Sequence, residues 1–160
     1  MMYTISAIGQ DSHRFTDEDK PLVLGGVQFE NERGLLANSD GDVVLHALTN
    51  AISGLTGVNV LGKIADELCN SGITDSAAYL RVALNSLKER NMKLLHISMS
   101  IECKTPKITP KIDIMKKQIS LLCGIETDSI GITATTGEGL TEFGKGNGIQ
   151  VFCIATAQKE

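Results

Sequence analysis

The sequence predicts an α+β domain in which helices pack on one face of a sheet. Several short segments alternate apolar and polar residues, which is typical of strands, and longer segments between them repeat apolar residues at helical spacing. The predicted order is two strands, two helices, one strand, one helix and two strands, a pattern that favours a layered α+β architecture. No repeat or linker interrupts the 160 residues, so a single domain spanning residues 1–160 is expected.

Two strands are predicted near the N-terminus. Residues 3–13 alternate apolar and polar side chains, and this alternation places Asp11 and His13 on one face of the strand. Residues 22–29 predict a second strand that bends or bulges at Gly25-Gly26.

Three helices are predicted in the middle of the chain. Residues 39–42, Ser-Asp-Gly-Asp, are typical of a helix start, with Ser39 or Asp40 as the expected capping residue. A second helix is expected to start at Asp75-Ser76, and a third to end at Gly124. The expected buried residues of the three helices are Val43, Val44, Ala47, Leu48, Ala51, Ile52 and Leu55, then Leu80, Leu84 and Leu87, then Ile108, Ile112, Met115, Ile119 and Leu122.

Three further strands complete the predicted sheet. The clearest alternation in the chain predicts a strand whose buried face consists of Leu95, Ile97, Met99, Ile101 and Cys103. Residues 130–136 and 148–157 predict the last two strands. The last strand carries Phe152 and Ile154 on the face opposite Cys153, so it lies either at the centre of its sheet or against another subunit.

Composition and charge argue against several classes of function. Fifteen basic and nineteen acidic residues give a net charge of -4 without a basic stripe, which argues against a nucleic-acid partner. No apolar run predicts a membrane span or a signal peptide, so a cytoplasmic location is expected. The four cysteines form no CxxC pair, and Cys103 and Cys153 are expected in the core rather than in disulfides.

Two histidines and one aspartate form the first candidate site. Asp11 and His13 share a strand face, and His46 lies at the margin of a helical apolar stripe, with Asp42 and Asn50 one turn away as expected partners of its ring. Two imidazoles and one carboxylate match a zinc site with an open fourth position. The alternative interpretation is a surface aspartate, a histidine at the core edge and a hydrogen-bonded helical histidine.

Three other segments have features of phosphate or nucleotide binding. In residues 34–42 a glycine-bearing turn enters a helix, where free N–H groups, Asn38 and Ser39 favour an anion; helix capping is the alternative. Residues 134–148 combine hydroxyls, a carboxylate and glycines, which suit a metal-bound diphosphate or an ordinary hairpin. Residues 105–110, stiffened by two prolines, suit either contact with a base or a turn into a helix.

Together these segments resemble the 2-C-methyl-D-erythritol 2,4-cyclodiphosphate synthase family. The similarity covers nearly the whole chain in order and is most specific in residues 34–49, which contain Ser-Asp-Gly-Asp-x-x-x-His. It includes Asp11-Ser-His13, Leu-Gly-Gly-Val at 24–27, and Pro106-Lys107. It also includes Thr-Thr-Gly-Glu at 135–138 and Gly-x-Gly-x-Gly at 144–148.

The resemblance implies a homotrimer of ferredoxin-like α/β two-layer sandwiches, with the sheets facing the centre and active sites between subunits. It implies the substrate 4-diphosphocytidyl-2-C-methyl-D-erythritol 2-phosphate of the non-mevalonate isoprenoid pathway. The 2-phosphate attacks the β-phosphorus and expels CMP, as a phosphorus–oxygen lyase does. One Zn²⁺ and one Mg²⁺ or Mn²⁺ are implied per active site.

The resemblance also implies residue roles by motif position. The expected metal ligands are Asp11, His13 and His46 for zinc and Glu138 for the second cation. Thr136 is the expected transition-state stabiliser, and Asn38 is the second expected catalytic residue. The expected substrate-binding residues are Asp11, His13, Asn38, Ser39, Gly62, Cys103, Pro106, Lys107, Thr135, Thr136, Gly137, Glu138 and Lys145.

Several positions depart from the family pattern. Asn38 stands where most members have histidine, so it can donate to phosphate but carries no charge, and Asn50 replaces an aspartate. Val-Leu-Gly at 60–62 replaces Asp-Ile-Gly, whose acid holds the erythritol hydroxyls. Residues 64–69 replace the Phe-Pro-Asp-Thr-Asp loop of the family, and Asp66 or Glu67 is the candidate substitute there. The departures therefore concern sugar recognition more than metal binding.

Two other functions use the same residues. A metal-dependent hydrolase of a CDP-alcohol would use water as the nucleophile and give a linear phosphate. A non-catalytic trimeric isoprenoid-diphosphate-binding protein would use a cavity near Phe143 and Lys145. The retained set of zinc ligands and Thr136 argues against the non-catalytic function.

Overall fold

Helices cover one face of a four-stranded sheet in the computed structural model, which describes residues 1–160. The strands are β1 (Tyr3–Arg14), β2 (Leu22–Leu24), β3 (Val27–Phe29), β4 (Met92–Glu102), β5 (Ile130–Thr135) and β6 (Gly148–Lys159). The helices are α1 (Val43–Thr56), α2 (Ala65–Asn70), α3 (Ser76–Glu89) and α4 (Ile112–Cys123). The predicted α+β class, with helices on one face of a sheet, is confirmed.

The sheet has the strand order β1-β6-β4-β5. β6 pairs antiparallel with β1 and β4, and β4 pairs parallel with β5, so β1 and β5 are the two edges. At one end of the sheet Arg14 lies opposite Gly148, and Glu102 lies opposite both Gln150 and Thr135. The loops that follow β1, β4 and β5 and the loop that precedes β6 therefore meet at the same end of the sheet.

The last strand is central, which was one of the two predicted placements. Its inner side chains, Ile149, Val151, Cys153, Ala155 and Ala157, are fully buried under the helices. On its outer face Phe152 is 40% exposed and Ile154 is 47% exposed, and Ile8 of β1 beside them is 64% exposed. The outer face of the sheet is therefore partly apolar and uncovered in a single chain.

The alternation of β4 is confirmed except at its start. Ile97, Met99, Ile101 and Cys103 are buried, but Leu95 is only half-buried and Leu94 takes the inward position. The pairing of β4 with β6 shifts register between Leu94 and His96, and such a bulge exchanges the faces on which side chains lie.

Residues 22–29 form a hairpin rather than the single bent strand that was predicted. Gly25 and Gly26 have φ values of 61° and 75°, a left-handed conformation that reverses the chain and that glycine adopts without strain. Leu24 pairs with Val27 across this turn.

The predicted capping residue of α1 is also wrong, because Asp42 rather than Ser39 or Asp40 caps the helix. The Asp42 carboxylate accepts hydrogen bonds from the N–H of Leu45 at 3.0 Å, of Gly25 at 2.8 Å and of Gly26 at 2.7 Å. One carboxylate thus fastens the hairpin turn to the start of α1. Burial raises its pKa to about 6.

The other two predicted helices form, but Leu84, Ile112 and Leu122, which were expected to be buried, are only half-buried, and Ile108 lies before α4. α3 starts after Asp75, whose carboxylate accepts from the N–H of Ala77, and α4 ends at Gly124 in the left-handed conformation. No element was predicted at Val60–Ile64 and α2, where the chain makes an irregular turn and a short helix. Cys103 and Cys153 are buried free thiols, as expected, and no helix is both long and apolar enough to cross a membrane.

The separation of α1 from β1 depends on Gly9. A Cβ on Gly9 would lie 2.2 Å from the carbonyl oxygen of Ala47 and 2.2 Å from the amide nitrogen of Ala51, both in α1. Only glycine therefore lets the helix backbone approach the strand this closely.

We expect Gly9→Ala to destabilise the protein by about 1–3 kcal/mol or more, because backbone atoms of α1 must move to admit the methyl group. Gly131→Ala is the matched control, since a Cβ on Gly131 of β5 would meet nothing within 4 Å. Chemical denaturation of both variants measures the difference. Equal stabilities would show that α1 is not tightly constrained by β1.

Candidate functional site

Three side chains from β1 and α1 converge at the end of the sheet. The strand places Asp11 and His13 on its helix-facing side, and α1 brings His46 over them. Asp11 Oδ2 lies 2.9 Å from His13 Nε2 and 3.0 Å from His46 Nδ1, and the two ring nitrogens are 3.3 Å apart. The structure therefore brings together the three predicted zinc ligands.

The spacing of these atoms fits a tetrahedral metal site. Metal–ligand bonds of about 2.0 Å at tetrahedral angles place neighbouring ligand atoms about 3.3 Å apart. The three distances, 2.9, 3.0 and 3.3 Å, approach this value. Two imidazoles and one carboxylate also leave a fourth position for a ligand oxygen. The group is a possible metal-binding triad.

Charge at the triad favours a cation. Burial raises the pKa of Asp11, but hydrogen bonds from His13 and His46 outweigh burial and lower this pKa to about 2. The carboxylate is therefore ionised at neutral pH, and His46 is only 7% exposed. A partly desolvated negative charge attracts a divalent ion more strongly than one in water does.

The second nitrogen of the His46 ring has a partner that was not predicted. Nε2 lies 2.8 Å from the hydroxyl of Ser76, the first residue of α3. The expected partners do not contact the ring by their side chains, because Asp42 caps α1 and the Asn50 amide donates to the carbonyl of Gln10 at 3.0 Å. The Asp75-Ser76 sequence signalled only a helix start, and only the packing of α3 against α1 reveals the contact.

The triad lines a cleft of about 770 Å³. Its lining residues are Asp11, His13, Leu36, Ala37, Asn38, Ser39, His46, Leu61, Gly62, Ala65, Asp66, Cys69, Asn70 and Tyr79. Asn38, Ser39 and Gly62, all predicted to bind substrate, thus lie in the cleft of the metal triad. Of the two candidate acids, Asp66 lines the cleft, whereas Glu67 lies outside it with its carboxylate 3.9 Å from Lys63 Nζ.

The predicted anion-binding loop is fastened by a lysine that sequence reasoning missed. Lys20 Nζ donates to the carbonyls of Ala37 and Ser39, each at 2.8 Å. The Ser39 hydroxyl accepts from the N–H of Gly41 at 3.2 Å, and the Asn38 side chain is exposed at the cleft. The loop therefore presents a hydroxyl and an amide beside the triad.

A second cleft of about 350 Å³ lies at the other edge of the sheet. Its lining residues are Cys103, Lys104, Pro106, Lys107, Ile108, Thr109, Pro110, Ala134, Thr135 and Thr136. The loop after β4 is held there because Cys103 N–H donates to the carbonyl of Thr135 at 3.1 Å and Lys104 N–H donates to that of Phe143 at 3.1 Å. Five of the predicted substrate-binding residues share this cleft.

Three predicted site residues line neither cleft. Gly137 and Glu138 form a tight turn after β5, where Glu138 is exposed and has a φ of 56°. The Gly137 N–H donates to the Thr135 hydroxyl at 3.0 Å. The Lys145 ammonium pairs with Glu142 at 3.0 Å on the surface.

The two clefts of one chain share no residue. Asp11 and His13 of the triad lie on β1 and Thr135 ends β5, so three strand spacings of about 4.8 Å, or about 14 Å in total, separate them. Groups that act on the same atom must lie about 3–3.5 Å from it. Thr136 and the triad of one chain therefore cannot act on the same phosphorus.

Known proteins share the sequence over most of this chain. A synthase from Chlamydia muridarum, named 2-C-methyl-D-erythritol 2,4-cyclodiphosphate synthase, is 52% identical over 155 residues, or 95% of this chain and 86% of that protein. A synthase of the same name from Chlamydia trachomatis is 53% identical over 152 residues, or 93% of this chain and 85% of that protein.

Solved structures agree in fold. The CDP complex of IspF from Plasmodium falciparum has a TM-score of 0.85 and 26% identity, and covers 98% of this chain and 97% of that chain. The bifunctional IspDF from Campylobacter jejuni has a TM-score of 0.91 and 28% identity, and covers 100% of this chain, which spans only 43% of that longer protein. Since the model of the YgbB family matches residues 5–158, this chain belongs to the YgbB family, in which its curated relatives are 2-C-methyl-D-erythritol 2,4-cyclodiphosphate synthases.

Proposed function

We propose that this chain converts 4-diphosphocytidyl-2-C-methyl-D-erythritol 2-phosphate to 2-C-methyl-D-erythritol 2,4-cyclodiphosphate and CMP. The observation that carries the proposal is the convergence of Asp11, His13 and His46 in a cleft of a YgbB family member. A 2-phosphate oxygen bonds to the β-phosphorus, and the bond from that phosphorus to the CMP oxygen breaks, so CMP leaves with the electron pair. The enzyme is therefore a phosphorus–oxygen lyase.

The residues of the first cleft suit the phosphate arms of this substrate. Both arms are negatively charged and the nucleophile belongs to the substrate, so the protein has to position and neutralise charge rather than transfer protons. Asp11, His13 and His46 would hold a Zn²⁺ ion, which would supply Lewis-acid polarisation of the diphosphate. Ser39 and Asn38 donate hydrogen bonds to phosphate oxygens from the neighbouring loop.

The second cleft suits the CMP leaving group. Backbone groups of residues 103–109 contact the cytosine, and Lys107 lies at the phosphate side. The hydroxyls of Thr135 and Thr136 stabilise the negative charge that develops on the attacked diphosphate. Glu138 in the adjoining turn would offer a carboxylate oxygen to Mg²⁺ or Mn²⁺, which prefer such ligands.

A homotrimer joins the two clefts. In a closed ring, the β1 edge of one subunit faces the β5 edge of the next, so the triad and the neighbour's Thr136 reach the same diphosphate. The outer sheet faces turn towards the ring axis and bury Ile8, Phe152 and Ile154. Their partial exposure in one chain and the separation of the clefts support this assembly.

Asp66 takes the place of the acid that holds the sugar hydroxyls. It lines the first cleft beside Gly62, whereas Glu67 points outside towards Lys63. A carboxylate in this position accepts hydrogen bonds from two hydroxyls of methylerythritol, which compensates for Val60 in the family position of the acid.

Phosphorus NMR with the proposed substrate, zinc and Mg²⁺ tests the function, and His46→Ala tests the site. We expect a cyclic diphosphate from the wild-type protein, and loss of both bound zinc and product from His46→Ala, since the triad loses one ligand. Lys117→Ala, at an exposed residue of α4 in the helical layer, should keep both. A linear phosphate from the wild type would instead identify a hydrolase, and stoichiometric zinc in His46→Ala would disprove the ligand assignment.

We expect Phe152→Asp to convert the trimer to monomers and to abolish turnover, because a charge at the ring axis remains desolvated and unpaired. Leu121→Asp is the control, since Leu121 is 78% exposed on α4 in the helical layer. Light scattering after size-exclusion chromatography measures the mass of both variants. If the Phe152→Asp variant is still a trimer, the subunit interface does not lie on the outer face of the sheet at Phe152.

We expect Asp66→Asn to raise KM about tenfold or more, because one charged hydrogen bond to the sugar contributes about 1.5–3 kcal/mol. Glu67→Gln, the adjacent change outside the cleft, should leave KM within twofold, and steady-state kinetics on both variants measures the difference. If the two changes affect KM equally, Asp66 does not bind the sugar hydroxyls.

A further inference from the structure

The His46 ring uses its two nitrogens in opposite directions. Nδ1 faces the triad, 3.0 Å from the Asp11 carboxylate and 3.3 Å from His13 Nε2. Nε2 faces away from the triad, 2.8 Å from the Ser76 hydroxyl. To bind a cation through Nδ1, the ring must carry its proton on Nε2. The group that bonds to Nε2 therefore determines whether the lone pair of Nδ1 is free to bind a cation.

The Ser76 hydroxyl is itself oriented by Asp40. The two carboxylate oxygens of Asp40 accept from the backbone N–H of Ser76 at 3.0 Å and of Asp42 at 2.9 Å, and the Ser76 hydroxyl also bonds to the carboxylate. Backbone N–H groups only donate, so both oxygens of Asp40 act as acceptors. The proton of the Ser76 hydroxyl is consequently directed at Asp40.

This orientation leaves the oxygen lone pairs of Ser76 for the histidine. The ring then donates from Nε2 to Ser76, and Ser76 donates to Asp40, so one proton order satisfies all three groups. Ser76 is fully buried and His46 is 7% exposed, so water does not readily replace these bonds. Ser39 is a weaker partner, because its hydroxyl lies 3.5 Å from Nε2 and already accepts from Gly41.

We infer that Ser76 and Asp40 are positioning residues: when a cation replaces the hydrogen bond between Nδ1 and Asp11, they keep the proton of His46 on Nε2 and turn the lone pair of Nδ1 towards the metal. The inference deepens the metal site of the proposed function and rests on it only in requiring that the triad bind a divalent cation. It also couples that site to α3, since Ser76 is the first residue of this helix and Asp40 belongs to the loop before α1.

Zinc affinity of Ser76→Ala, measured by competition with a chelator, tests the inference. Loss of the partner on the far nitrogen typically weakens metal binding about 10- to 100-fold, and we expect a loss of this size. Ser86→Ala is the matched control, because Ser86 is buried on the same helix and its hydroxyl contacts only Arg90. Its zinc affinity should stay within twofold of wild type. A Ser76→Ala protein with wild-type affinity would overturn the inference.

Two further measurements separate positioning from a general loss of structure. The visible spectrum of the cobalt-substituted protein reports coordination geometry, and it should change in Ser76→Ala but not in Ser86→Ala. Asp40→Asn keeps an acceptor for the Ser76 hydroxyl but loses its charge, so its zinc affinity should fall between wild type and Ser76→Ala. A wild-type zinc affinity in Asp40→Asn would show that the charge of Asp40 does not help to orient Ser76 and His46.

These readouts do not depend on turnover. If the wild-type protein binds zinc and Ser76→Ala binds it more weakly, the positioning role stands even where no cyclic diphosphate forms. If the wild-type protein forms the cyclic product and Ser76→Ala binds zinc normally, the proposed function stands and the positioning role fails.

Discussion

The close approach of α1 to β1 is the constraint on which the candidate metal site depends. Gly9 admits the backbone of the helix where any Cβ would meet Ala47 and Ala51 at 2.2 Å. Asp11 follows Gly9 by two residues and His46 precedes Ala47 by one, so this contact sets the distance between them. Because the triad atoms lie 2.9–3.3 Å apart, a small displacement of the helix would open the site.

Hydrogen bonds of two aspartates also fix α1 relative to the rest of the fold. Asp42 joins α1 to the hairpin of β2 and β3, and Asp40 joins the loop before α1 to the start of α3. Both carboxylates accept several N–H donors, which compensates for removing them from water. The elements that position His46 are thus linked by hydrogen bonds as well as by apolar packing.

The strand order explains why the two clefts of one chain are separate. The triad on β1 and the threonines after β5 lie at the same end of the sheet but on opposite edges, because β6 and β4 intervene. Each edge therefore carries one cleft, lined by the possible metal-binding triad at the β1 edge and by the loop after β4 at the β5 edge. In the proposed homotrimer, a second copy of the chain would join the two clefts, and the assembly would cover the apolar outer face of β6.

Local pattern by itself determined most of the elements, though not α2 or the hairpin of β2 and β3, and it determined the candidate ligands. Alternation identified β1, β4, β5 and β6, helical spacing identified α1, α3 and α4, and the family segment at residues 34–49 identified His46 beside Asp11 and His13. Only the tertiary structure decided that Asp42 caps α1, that Ser76 contacts the His46 ring, and that Asp66 rather than Glu67 lines the cleft. The physical reason is that a sequence pattern encodes periodicity along one element, whereas a hydrogen-bond partner from another element depends on how the helices pack across the sheet.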